Sequence, residues 1–154
     1  MRQNIFLMYS AIKPLHSFLP YLLIAALLAS VLVFVAKRFG GRNFKKADKL
    51  LALITLILAH VQLLVGLVLY FVSPLVKAAL ESGEVMKNAT HRLYAVEHIS
   101  VMILAIIFIT IGYSKAKRKT EAAAKFQTLW IFYAIGLVLV LSRIPWDVWP
   151  SPSL

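Results

Sequence analysis

The run from Leu50 to Val72, LLALITLILAHVQLLVGLVLYFV, constrains the chain most. About 20 apolar residues in helical form cross a hydrocarbon core of ~30 Å. A single imidazole, His60, sits at its centre. Polar side chains at such depth are costly and usually face a bundle interior where something binds them.

Three further stretches have the same character, giving spans at about 15–36, 50–72, 93–113 and 126–144. With 61% hydrophobic residues and a mean hydropathy of +0.83, the chain lies far above a soluble domain, where apolar usage is roughly 45–50%. Backbone groups in lipid must be satisfied internally, so the spans read as helices. Short connections make successive helices antiparallel neighbours. The expected fold is an all-α membrane protein, an up-down four-helix transmembrane bundle, as a single domain over residues 1–154. Residues 1–13 read as a short amphipathic or irregular lead-in. Pro14 and Pro20 read as first-turn residues of the first span, where proline is best tolerated. Lys13 and Pro14 interrupt any signal-peptide pattern before a cleavage site, so the first span is expected to persist in the mature protein. The 75–92 loop has room for a short surface helix, and Trp146 and Trp149 read as an interfacial belt.

The net charge is +11. In a soluble protein that would suggest nucleic acid, but here the charge lies in short loops between apolar spans, so nucleic acid binding is not expected. The segment from Lys37 to Lys49 holds six Lys or Arg against one Asp, and the 114–125 segment is also basic. By the positive-inside rule both face the cytoplasm, and both termini and the 75–92 loop face the other side. Cysteine is absent, which excludes disulfides, iron–sulfur clusters and thiolate-bound zinc.

The histidines are distributed unevenly in depth. At 1.5 Å per residue, His60 lies near the midplane, His98 about 7 Å outward, Arg143 about 12 Å and His16 about 15 Å outward, with His91 beyond them. The outer half of the bundle therefore gathers imidazoles from three helices and a guanidinium from the fourth. Haem b is the chemistry that best fits such a set. Two neutral imidazoles on facing helices ligate the iron and the apolar ring fills the bundle. His60 and His98 are the preferred axial pair, with His16 the alternative partner of His98. Arg143, Arg92 and Lys13 are placed to meet the propionates. Ala59, Gly66, Gly112 and Gly136 are small residues that let helices approach or part. Each histidine also has a plainer reading: His60 bonded to Gln62 or a threonine, His98 in a polar or proton-relaying pair with Glu97, His16 tolerated at the membrane edge, His91 solvated. Zinc or copper fits less well, because the imidazoles spread over more than ~10 Å in depth and Arg143 would repel a cation.

LHSFLPYL around His16, AHVQLLVGLVLYFVSP around His60, RLYAVEHISVMILAIIFITIGYSKAK around His98 and LSRIPW around Arg143 carry a resemblance over nearly the whole chain. They resemble short bacterial four-span membrane proteins labelled "cytochrome B". More distantly, the architecture is similar to four-helix di-haem membrane cytochromes that exchange electrons with quinones. The resemblance implies a bacterial inner-membrane protein with a haem-related role at His60 and His98, and at His16 as the alternative. It also implies quinone/quinol or a redox protein as partner, whether the chain acts as a quinone-linked oxidoreductase or as an electron-transfer subunit of a larger complex or homo-oligomer. The last span carries no histidine, so one haem is expected rather than two. Two other classes compete: a non-redox membrane subunit or assembly factor with a polar His/Arg network, and a proton-relaying transporter-like protein using Glu97 and His98.

Overall fold

The computed structural model describes residues 2–150. Among them the secondary structure is all helical: α1 (Arg2–Phe39), α2 (Lys46–Val72), α3 (Pro74–Glu81), α4 (Ala89–Arg92), a π-helical turn (Leu93–Glu97), α5 (His98–Lys117) and α6 (Ala122–Ser142). The segment from α4 through the π turn to α5 is one continuous helix, Ala89–Lys117. Four helices are long and apolar enough to cross a membrane: α1, α2, Ala89–Lys117 and α6. They pack as a ring in which α1 adjoins α2 and α6, and α5 adjoins α2 and α6. This is an up-down four-helix bundle.

The bundle is pinned most firmly at the end that carries the two basic connections, called here the inner end. Every buried residue of α2 lies in its first half: Asp48, Ala52, Thr55 and Ala59. They face Leu23, Leu27, Ser30 and Phe34 of α1. Ser30 and Thr55 share a hydrogen bond of 2.9 Å inside the core. The Tyr133 hydroxyl donates to the Ala52 carbonyl at 2.8 Å. Asp48, 2% exposed, pairs with Lys37 and accepts from the Lys45 amide, closing the first turn of α2. Gly112 and Gly136 let α5 and α6 meet: a Cβ on Gly112 would lie 2.4 Å from Phe132 Cβ, and one on Gly136 2.6 Å from Ile109 Cγ1. Gly41, at φ +61°, supplies the left-handed residue that ends α1 and turns the chain toward α2.

At the outer end α3 packs against the start of the third long helix. Ser73 caps it by accepting from the Val76 amide, and Val76 and Ala79 pack on Ala95 of the π turn. After α6 the chain folds back on α1, where the Trp149 indole donates to the Ser17 carbonyl at 2.9 Å and its ring stacks near Tyr21.

One expectation is corrected. Residues 2–13 are not an irregular lead-in. Helix α1 starts at Arg2 and runs for 38 residues through both prolines, about 57 Å at the usual rise. Pro14 and Pro20 are therefore interior positions, each removing one i→i−4 hydrogen bond.

Candidate functional site

The buried stripes of the four long helices follow a 3–4 spacing, the signature of left-handed bundle packing. On α1 the stripe is Leu23, Leu27, Ser30, Phe34. On α2 it is Asp48, Ala52, Thr55, Ala59. On α5 it is Ala105, Ile109, Gly112, Ala116. Extended outward in the same rhythm, α1 reaches Pro20 and His16, α2 reaches Gln62 and Gly66, and α5 reaches Met102 and His98. These outward positions form the candidate site.

His16 and His98, on diagonally opposed helices, meet with ring centroids 6.2 Å apart and planes at 77°. Each ring is anchored through Nδ1. His98 Nδ1 donates to the Arg143 carbonyl at 2.7 Å, a group freed by the end of α6. His16 Nδ1 lies 3.1 Å from Gln62 Nε2, and the same amide nitrogen donates to the His16 carbonyl, also at 3.1 Å. Pro20 explains the second contact. With no amide hydrogen, it leaves the carbonyl four residues earlier without its helical partner, and that carbonyl belongs to His16. Gln62 Oε1 is buried and has no partner. Gly66 gives the His16 ring its place, since a Cβ there would lie 2.8 Å from His16 Cε1.

The π turn precedes His98. Its wider winding leaves the α-helical ladder incomplete, and the Tyr70 hydroxyl of α2 donates to the Ala95 carbonyl within it at 3.0 Å. Glu97 ends the turn and sits between two guanidiniums, with Arg92 Nε at 2.8 Å from Oε1 and Arg143 Nε at 3.4 Å from Oε2. Arg92 also donates to the Met86 carbonyl at 2.8 Å. Two cations on one carboxylate leave the cluster with net positive charge beside the imidazole pair. Glu97 is thus ion-paired and hydrogen-bonded, with Arg92 from one turn earlier in the same helix, Ala89–Lys117, and Arg143 from the end of α6.

His60 is placed differently from the preferred pairing. It falls one residue past Ala59, about 100° round the helix from the core stripe. It is exposed, and its Nδ1 donates to the Leu56 carbonyl of its own helix at 2.9 Å. The ring that meets His98 is that of His16. Gln62, considered as a partner of His60, contacts His16 instead. His91 lies in α4, partly exposed, with its amide capped by Asn88 at 3.0 Å. Lys13 is exposed on α1. Gln62 as the partner of His16, and the Arg143 carbonyl as the partner of His98, were not anticipated from sequence. The stripe Ala52, Thr55, Ala59, Gln62, Gly66 carries the signal that would have found Gln62.

Among the described residues no three His, Cys, Asp or Glu side chains converge on a common point.

Fold and site together define a multi-pass helical membrane protein with an anchored histidine pair and an Arg–Glu–Arg cluster in one half of its bundle. In comparisons with known proteins, no family model, no curated protein and no solved structure matches the chain.

Proposed function

We propose that the protein is a b-type cytochrome-like electron-transfer protein that holds one haem between His16 and His98. The observation that carries this reading is the separation of the two rings. A metal–imidazole bond is about 2 Å, so two such bonds plus the ring radii come to about 6 Å between centroids, and the pair stands at 6.2 Å. Haem, when bound, supplies reversible one-electron transfer at its iron.

The chain's own groups fit that role. Ligation through Nε2 requires the proton on Nδ1, and His98 already has this arrangement through the Arg143 carbonyl. For His16, the Gln62 amide must present its oxygen, and Oε1 is the buried atom without a partner. Oxygen and nitrogen of an amide exchange places by a half-turn. The turn would give up the bond to the His16 carbonyl. Arg92 and Arg143, sharing Glu97, retain positive charge for a propionate. A quinone or quinol is the proposed redox partner, since it reaches the site from within the bilayer. We place the protein in a bacterial inner membrane with the inner end of the bundle facing the cytoplasm, on the strength of its Lys and Arg.

The test is expression with a haem supply, purification in mild detergent, and a pyridine haemochrome assay. Wild type should show a Soret band and one haem per chain. His16→Ala and His98→Ala should lose haem or pass from low to high spin, whereas His60→Ala and His91→Ala should keep the wild-type spectrum. A colourless wild-type protein, or His16→Ala and His98→Ala that both keep the wild-type spectrum, sinks the reading.

A second reading has its own support. The contact of His16 with Gln62 joins α1 to α2, and those of His98 and Glu97 with Arg143 join the third long helix to the end of α6. A structural polar network in a small membrane subunit would look the same, and the haemochrome assay separates the two.

A further inference from the structure

At the inner end, away from the histidines, a cavity of about 160 Å³ opens between α2, α5, α6 and the loop that carries Phe44. Lys49 from the first turn of α2, Lys117 from the last turn of α5 and Lys125 from the first turn of α6 line it, with Phe44 and Tyr113. No carboxylate does. Of the two acids at this end, Asp48 is taken by Lys37, and Glu121 lies one turn before Lys125 without forming an ion pair among the described residues. None of the three lysines has a carboxylate partner there. Lys125 lies instead over the Phe44 ring, 5.1 Å from its centroid.

Three converging cations with no counter-charge repel one another. An anion of suitable size in the cavity would relieve that repulsion and accept hydrogen bonds from the ammonium groups. We propose that this cavity binds the phosphodiester headgroup of an anionic phospholipid. Position favours a lipid over a free anion. The cavity lies where the ends of three membrane-length helices meet, and its lining passes from the lysines to the apolar Ala52, Ala116 and Leu129. Basic pockets between transmembrane helices recognise anionic headgroups in this way. The site is independent of haem and survives the failure of the cytochrome reading.

The experiment is native mass spectrometry of the full chain in mild detergent, titrated with phosphatidylglycerol or phosphatidylcholine. Wild type should retain phosphatidylglycerol in preference. Lys49→Gln with Lys125→Gln should weaken that binding about fivefold per lysine. Lys46→Gln with Lys119→Gln removes the same charge from the same end but outside the cavity, and should change it by less than about twofold. Lys125→Arg should retain binding. Should the Lys49/Lys125 pair fail to fold, Lys117→Gln alone, at an exposed helix end, reads the same quantity. The proposal is overturned if wild type shows no headgroup preference, or if both variant pairs lose binding equally. It is also overturned if millimolar inorganic phosphate displaces the lipid, which would mark a site for a small free anion.

Discussion

Single residues decide how the histidine pair is held. Gly66 is the clearest case, because a methyl group there would stand 2.8 Å from the His16 ring. An imidazole wedged between two helices has little room to retreat. Gly66→Ala should cost about 1–3 kcal/mol by overpacking, less any gain in helix propensity, and in the haem-bound protein it should shift the spectrum toward high spin. An unchanged spectrum and thermal midpoint would mean that the ring moves freely. Arg143 acts through two different groups. Its carbonyl orients His98 and its guanidinium meets Glu97, so Arg143→Leu leaves the first contact and removes the second. Positive charge near a haem stabilises the reduced iron, so this variant should have a lower midpoint potential while keeping a low-spin spectrum. Potentiometric titration checks the sign, and an unchanged potential would place the guanidinium away from the haem. At the inner end, Asp48→Ala should destabilise by about 2 kcal/mol. That is below the ~3–5 expected for breaking a fully buried pair, because Lys37 keeps 31% of its side chain exposed and can reach water. Thermal unfolding in detergent measures it.

At the scale of the element, the spans were legible and their rotation was not. Runs of about 20 apolar residues are set by the thickness of the bilayer, so hydropathy alone locates α2, α5 and α6 closely. Depth follows from the same one-dimensional count. Depth, however, says nothing about the direction in which a side chain points. His60 lies one residue off the stripe that carries Ala52, Thr55, Ala59 and Gln62 and is exposed. His16 looked peripheral because Pro14 and Pro20 read as a helix start, whereas α1 continues outward to Arg2 and puts His16 well inside a helix. The π turn at Leu93–Glu97 left no mark that periodicity could find, since one extra residue in an apolar helix changes register without changing composition. The interior proline has a consequence of its own. Pro20→Ala restores an amide hydrogen for the His16 carbonyl, which then no longer needs Gln62. Helix α1 should gain stability, and Gln62 should be freer to turn its oxygen toward His16 Nδ1. In the haem-bound protein the expected result is equal or tighter haem retention on dilution. Weaker retention would show that the proline bend, rather than the amide orientation, sets the ring position.

Across the whole molecule, the basic residues and the histidine pair lie toward opposite ends of one bundle. Eleven of the seventeen Lys and Arg residues lie at the inner end with two of the six acids, and the outer end has six basic residues against four acids. The positive-inside rule counts Lys and Arg in short loops near the span ends and gives little weight to acids. Both inner connections meet that condition: the first lies between Phe39 and Lys46, and the second between Lys117 and Ala122. The outer connection carries Lys77, Lys87 and Arg92, which are held in ion pairs with Glu81, Glu84 and Glu97. The bias therefore favours one insertion, with the inner end in the cytoplasm and the histidine pair in the opposite half of the membrane. A reporter active only outside the cytoplasm should be silent when fused after Lys46 and active when fused after Leu154. Replacing Arg42, Lys45 and Lys46 with Gln should weaken the bias and give a mixed population, because each of these residues is exposed at the inner end and none is tied to a core partner through its side chain. The reverse reporter pattern in the unaltered chain would put the histidine pair in the cytoplasmic half. A redox site there would then have to exchange electrons with partners on the cytoplasmic side.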